Sequence, residues 1–290
     1  MVVLTIEVLL LGTALLFLLT RRRTAIREVG RLVEHGGLPA EPELIEAAQG
    51  WYMRRQVVLL IGMVAGALLG GAVVLILRPG GDFRLASEFD IRLLTGMIAV
   101  TAAVGGLASL VHSYRTVRAS RFDGPRTATL RPRQLRDYLS PVEIAIQYGA
   151  LLLPAVAAVM GIVILRSSDH PGRGWILIGS GIAAAPLWGL GILLQRKALE
   201  VNQPSRGAAE LRWQEALRAT TLRDIASSGL TVCWLLGAAI PMSFQWPADA
   251  PAYFSGLAGV LFLISLGLLC LSTIVGRSGS ALRRVERVVG

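Results

Sequence analysis

The sequence predicts an all-α membrane protein: a polytopic transmembrane bundle of seven spans, one anchor helix followed by three helical hairpins. Three observations carry that expectation. Of 290 residues, 53% are hydrophobic and only 17% charged, against about 25% charged in a soluble domain. The apolar residues gather in stretches of about 20, the length that crosses about 30 Å of hydrocarbon at about 1.5 Å per residue. Basic residues crowd the connections on one side and are sparse on the other.

The spans fall near 2–20, 57–77, 93–113, 140–165, 175–195, 226–245 and 253–275. Of the 29 basic residues, 24 lie in 21–56, 114–139, 196–225 and the tail from Arg277. Only Arg78, Arg84, Arg92, Arg166 and Arg173 lie elsewhere, in loops that also hold Asp82, Glu88, Asp90, Asp169 and Asp249. Basic loops stay in the cytoplasm. The N-terminus is therefore expected outside and the C-terminus inside. The net charge of +10 follows from this distribution, so anionic lipid head groups are the expected partner and nucleic acid is not. Arginine outnumbers lysine 28 to 1, a skew that fits a GC-rich bacterial genome and a plasma-membrane address.

Taken in order, residues 1–20 form the anchor. No basic residue precedes the apolar run, and Arg21, Arg22 and Arg23 follow it. That favours an uncleaved anchor over a signal peptide. In 21–56, Ile26, Val29 and Val33 recur at helical spacing, which predicts an amphipathic helix on the membrane surface. Gly36-Gly37 ends it, and Pro42 opens another helix through Ala48. Hairpin 1 covers 57–113. Gly62, Gly66 and Gly70 form a small-residue packing stripe there, with a looser one at Ala99, Ala103 and Gly106.

Residues 114–139 form a basic loop, broken as a helix by Gly124-Pro125 and Pro132. Hairpin 2 covers 140–195, with a second stripe at Gly181, Ala185 and Gly189. Residues 196–225 are a further amphipathic segment, in which Ser205 caps a helix running from about Gly207 into span 6 with Trp213 and Leu217 on its apolar side. Hairpin 3 covers 226–275, and 276–290 is a basic tail. Leu135-Arg136-Asp137 with Ser140 recurs as Leu222-Arg223-Asp224 with Ser227, 87 residues later, which suggests a hairpin repeat. Trp175, Trp246 and Tyr253 at outer boundaries, with Trp51, Tyr52, Tyr114, Tyr138 and Trp213 at inner ones, read as an aromatic belt.

Chemistry-bearing patterns are few. No Walker A loop, H-E-x-x-H, G-x-S-x-G or C-x-x-C occurs, so no enzyme activity is expected. His35, His112 and His170 are scattered and Cys233 and Cys270 lie in spans, so neither metal nor cofactor is expected. Ionisable residues inside hydrocarbon mark function, because each costs roughly 2.5–3.5 kcal/mol on insertion. Glu143 with Gln147, one and two turns into span 4, is the candidate intramembrane polar site. The alternative for Glu143 is a snorkelling carboxylate paired with Arg136 or Arg223. Pro154 and Pro186 kink spans 4 and 5, and with Trp188 they either line a cavity or shape the packing.

The stretch Arg126-Thr-Ala-Thr-Leu-Arg-Pro-Arg-Gln-Leu-Arg-Asp-Tyr-Leu-Ser-Pro141, leading into a long apolar helix, resembles a segment of uncharacterised multi-pass membrane proteins of actinobacteria. The resemblance implies a plasma-membrane location and brings no activity or functional residue. The expected function is a non-enzymatic accessory or scaffold subunit of a plasma-membrane complex. The alternative is a transport component, either a carrier or a permease working with a separate ATPase.

Overall fold

The computed structural model describes residues 2–77, 104–108, 110–112, 115, 133–167, 171–201, 207–239, 259–260, 263–264 and 267. The expected outer loops at 78–92 and 246–252, residues 168–170, most of spans 3 and 7, Ser205, Cys270, the tail and the first residues of the actinobacterial-like stretch lie outside them. Among the described residues the chain is helical, without a strand: α1 (Val2–Gly36), α2 (Pro42–Leu77), α3 (Leu135–Tyr138), α4 (Pro141–Gly149), α5 (Leu152–Ser167), α6 (Pro171–Glu200) and α7 (Ala208–Trp234), the last ending in a π-turn at Leu235–Ala239. Three stretches are long and apolar enough to cross a membrane: Pro42–Leu69, Pro141–Arg166 and Gly174–Glu200.

The first difference from the sequence reading is continuity. The anchor and the amphipathic helix after it are one helix of 35 residues, about 52 Å long at about 1.5 Å per residue. No proline or glycine stands between residues 20 and 29, and the lone Gly30 is carried within the helix, so the backbone has no reason to turn at Arg21-Arg22-Arg23. The turn comes at Gly37, whose φ of 55° is left-handed and suits a residue without Cβ. The helix opened by Pro42 likewise runs past Ala48 through the whole of span 2. Its first turn is closed by the Glu41 carbonyl, which accepts from Ile45 N–H at 3.0 Å.

The segments expected on the membrane surface instead pack on one another. Ala25, Val29 and Leu32 of α1, Leu38 of the turn, Ala48, Trp51 and Tyr52 of α2, and Trp213 and Ala216 of α7 form one buried cluster. Ile26, expected on the apolar face, is 47% exposed. The buried face is set by Ala25, Val29 and Leu32, a 4-then-3 spacing that the larger Ile26 side chain obscured in the sequence. Trp51, Tyr52, Tyr138 and Trp213 are all buried, so these four residues of the expected inner belt lie in a protein core; Tyr114 lies outside the described residues. Trp175, of the expected outer belt, is exposed, and Trp246 and Tyr253 lie outside the described residues.

Span 4 is broken in the middle. Pro154 has no N–H to give the Ala150 carbonyl, which instead accepts from Leu153 N–H at 3.2 Å. This tighter turn separates α4 from α5. Pro186 sits on an exposed face of α6 and leaves that helix unbroken. α5 and α6 then pair closely: buried Leu153, Ala157, Met160 and Ile164 recur at 4-3-4 spacing on one helix, and Gly174, Ile178 and Gly181 of the other lie against Leu165, Gly161, Ala158 and Pro154. Such spacing is that of knobs-into-holes packing.

Glycines set how close the helices come. A Cβ at Gly181 would lie 2.7 Å from both Ala158 Cβ and the Pro154 carbonyl oxygen, and one at Gly161 would lie 2.6 Å from the Gly174 oxygen. A Cβ at Gly62 would stand 2.6 Å from Ala108 Cβ, so α2 meets the 104–112 segment there. Gly66 is buried as well, while the surroundings of Gly70 lie outside the described side chains. Nothing lies within 4 Å of a Cβ at Gly189, and Ala185 is exposed. Of the expected span-5 stripe, only Gly181 is on the face packed against α5, joined by Gly174.

Gly181→Val is expected to destabilise the detergent-solubilised protein by about 1–3 kcal/mol through overpacking. Gly189→Val should leave it unchanged. Parallel thermal melts of the two variants measure the difference.

Candidate functional site

The site grows from α7. This helix carries Arg212, Glu210, Glu215, Arg218, Arg223 and Asp224, yet it is the most enclosed element. Buried residues occur on every side of it from Trp213 to Cys233. Burying charge is costly unless it is paired and hydrogen-bonded. Each buried charge of α7 finds such a partner, and most of the partners come from other elements.

Glu215 is the best satisfied. Arg133 Nη2 donates to its Oε1 at 2.9 Å, the Tyr138 hydroxyl donates to its Oε2 at 2.7 Å, and Arg218 Nη1 lies 3.0 Å from Oε1 and 3.3 Å from Oε2. Arg218, with a side chain 0% exposed, also donates from Nη2 to the Val201 carbonyl at 2.8 Å. One carboxylate thus ties the end of the basic loop, the start of hairpin 2 and the chain after α6 to one turn of α7. Burial pushes the Tyr138 phenol well above its usual value and the adjacent Glu215 charge adds to the rise, so Tyr138 stays a proton donor. Around it, Tyr138 packs on Ala198, Ala219 and Leu222.

One turn and more toward the spans, Asp224 Oδ1 accepts from Arg55 Nη2 of α2 at 2.5 Å. Arg55 also lies over the Trp51 ring at 5.9 Å from its centroid, a cation–π distance. Arg223 Nε stands 3.2 Å from Glu143 Oε1. Glu143 has a second role: its Oε2 accepts from Ser140 N–H at 2.6 Å, while Ser140 Oγ accepts from Glu143 N–H at 3.0 Å. This is a capping box that starts α4, built from the sequence Ser140-Pro-Val-Glu143.

Gln147 pairs with Gln195 of α6. The two amides exchange contacts at 3.0 and 3.3 Å, and Gln195 Nε2 also reaches the Leu222 carbonyl at 3.3 Å. Trp188 Nε1 donates to the Gln147 carbonyl at 3.0 Å, and its ring meets Tyr148 edge-on at 5.3 Å. Its other flank faces Gly229 of α7, where a Cβ would stand 3.8 Å from the indole. Pro154 is equally enclosed. A Cβ at Gly237, in the π-turn, would overlap the Leu153 carbonyl carbon and the Pro154 nitrogen.

The structure therefore brings Glu143, Gln147 and Trp188 into one polar seam between α4, α6 and α7. It places Pro154 across from the π-turn and leaves Pro186 outside both. Sequence reasoning missed Glu215, Arg218, Tyr138, Arg55, Asp224, Gln195 and Gly237. The available signal was Glu215 with Arg218 at i,i+3 on a helix lacking a clear apolar stripe; such a helix must be either solvated or paired all round. The repeated Leu-Arg-Asp motif has two fates. Asp137 closes a capping box on α3 and Ser140 caps α4, whereas Asp224 and Ser227 lie inside continuous α7. No group of three or more His, Cys, Asp or Glu stands close enough to hold a metal among the described residues.

Compared with protein-family models, with characterised proteins and with solved structures, the chain matches none of them.

Glu215→Gln keeps the shape but strips the counter-charge from Arg133 and Arg218. It is expected to cost about 3–5 kcal/mol, the loss typical of breaking a buried pair. Tyr138→Phe, losing one hydrogen bond, should cost about 1 kcal/mol. Denaturation midpoints in mild detergent measure both.

Proposed function

We propose that the chain is a non-enzymatic, multi-pass accessory or scaffold subunit of a plasma-membrane complex. The observation that supports this most is the filled junction at Pro154. In a carrier, a broken helix at mid-depth leaves carbonyls free to line a path. Here the break is packed by Gly237 and Gly181, and the buried polar side chains of the surrounding helices are spent: Gln147 and Gln195 on each other and on the Leu222 carbonyl, Ser180 on the Leu177 carbonyl. The buried acids serve as ties and caps. Rigid helix-to-helix attachment is the property a scaffold needs. On this reading the arginine-rich ends lie in the cytoplasm against anionic head groups, and the apolar outer faces meet lipid or a partner membrane protein.

A transport component is the second reading, and one observation favours it. The proline break and the π-turn face each other, and both are devices found where helices bend in use. Gentle purification from the native host, followed by identification of the companions, separates the two readings. A stoichiometric membrane or envelope-synthesis complex is expected. A co-purified ATPase, or solute flux through liposomes holding this chain alone, would move the assignment to transport. Glu143→Gln is expected to lower the melting temperature while leaving the companions in place. An impermeant thiol reagent on intact cells should label Val2→Cys and spare Gly290→Cys, in a background lacking Cys233 and Cys270; labelling both would overturn the threading.

A further inference from the structure

On α7 two buried acids are held in different ways. Glu215 has both oxygens occupied by donors from Arg133, Tyr138 and Arg218. Asp224 has one oxygen bonded to Arg55 and the other, Oδ2, buried without a hydrogen-bond partner. The Arg55 Nε is buried and unpartnered too. Asp224 is therefore the buried acid with room for a proton.

Its position gives that proton a consequence. Trp213, Ala216, Thr220 and Asp224 follow at 3-4-4 spacing on α7 and form the seam with α2. Trp213 and Ala216 pack on Trp51 and Tyr52, and the Tyr52 hydroxyl is hydrogen-bonded to Thr220. The Arg55–Asp224 pair is the last rung of this seam toward the membrane. We propose that Asp224 is a proton-sensitive tie between α2 and α7: charged, it holds Arg55 and closes the upper seam; neutral, it releases Arg55 and the membrane part of α2 swings from the apolar hinge at Trp51 and Trp213.

The groups facing Asp224 are Arg55 from α2, with Tyr52 one turn before it, and Arg223 from α7 itself; His112 lies near Arg55 and Arg54. Burial raises the Asp224 carboxyl above the ordinary value, and the Arg55 and Arg223 charges oppose that rise. The sign matters. Acidification opens the seam because the released state keeps Asp224 buried but loses the Arg55 charge that opposes the rise, so the carboxyl binds its proton more tightly there than in the closed seam. Against the unfolded chain, the raised carboxyl likewise favours the folded state on acidification. The expected response is a changed contact, not unfolding.

The test places spin labels at Ile61→Cys on α2 and Ser227→Cys on α7, both exposed, in the full chain with Cys233→Ala and Cys270→Ala, held in lipid nanodiscs. The distance distribution is expected to lengthen reversibly as the pH is lowered, because burial raises the Asp224 carboxyl above its ordinary value. With Asp224→Asn it should be long throughout the titration, and with Arg55→Gln it should likewise lose its pH response. His112→Asn and Glu143→Gln should keep the wild-type response. A distance indifferent to pH in the parent chain would overturn the proposal, as would a response that survives Asp224→Asn or disappears with His112→Asn. If Asp224→Asn does not fold, Arg55→Gln decides by the same readout.

Discussion

A helix that buries charge on all sides must be partnered on all sides, and α7 is such a helix. Desolvating a carboxylate or guanidinium costs several kcal/mol, and only close, hydrogen-bonded counter-charges offset it. Glu215 meets that demand with Arg133, Tyr138 and Arg218; Asp224 with Arg55; Arg223 with Glu143. These contacts reach α2, the end of the basic loop, α3 and α4. The arrangement of the described bundle follows from them, because removing one partner leaves the other buried and unpaired. Non-directional apolar packing by itself would tolerate other orders of the helices; paired charges with fixed geometry do not.

Close approach of backbones is the second constraint. Within lipid, apolar side chains gain little by leaving lipid for protein, so helix association depends on dispersion and shape. Gly161, Gly174 and Gly181 let α5 and α6 touch along their length, and Gly237 seats the π-turn on the Pro154 break. A proline that frees a carbonyl and a glycine that admits a neighbour are thus two halves of one joint. The π-turn widens α7 by one residue at that level, which brings Gly237 rather than a bulkier neighbour to face Leu153 and Pro154.

The layer beyond the spans is folded in its own right. α1 and α2 extend past the expected membrane boundary and close on Trp213, whose Nε1 donates to the Pro39 carbonyl at 3.0 Å. Rigid extension of transmembrane helices into a packed layer carries orientation out of the membrane. It is consistent with the scaffold role proposed above, and it is where the proposed Arg55–Asp224 tie would have its hinge.

The sequence alone determined the helical class and the long apolar stretches, because both depend on local composition summed over about 20 residues. The helix break at Pro154 and the capping box of Ser140 with Glu143 are also local effects that act within one turn, yet from the sequence Pro154 and Pro186 read alike as kinks and Glu143 as an intramembrane polar group. Tertiary structure alone decided the rest. Ile26 faces out and Ala25 in because of what α2 and α7 present to them. Asp137 and Asp224 share a motif, yet one caps a short helix and the other binds Arg55, 169 residues away. Gly181 packs and Gly189 does not, although both belong to one four-residue stripe. Spacing states which residues share a face; only the neighbours state which face is covered, and for buried charge the neighbour is what makes the burial tolerable at all.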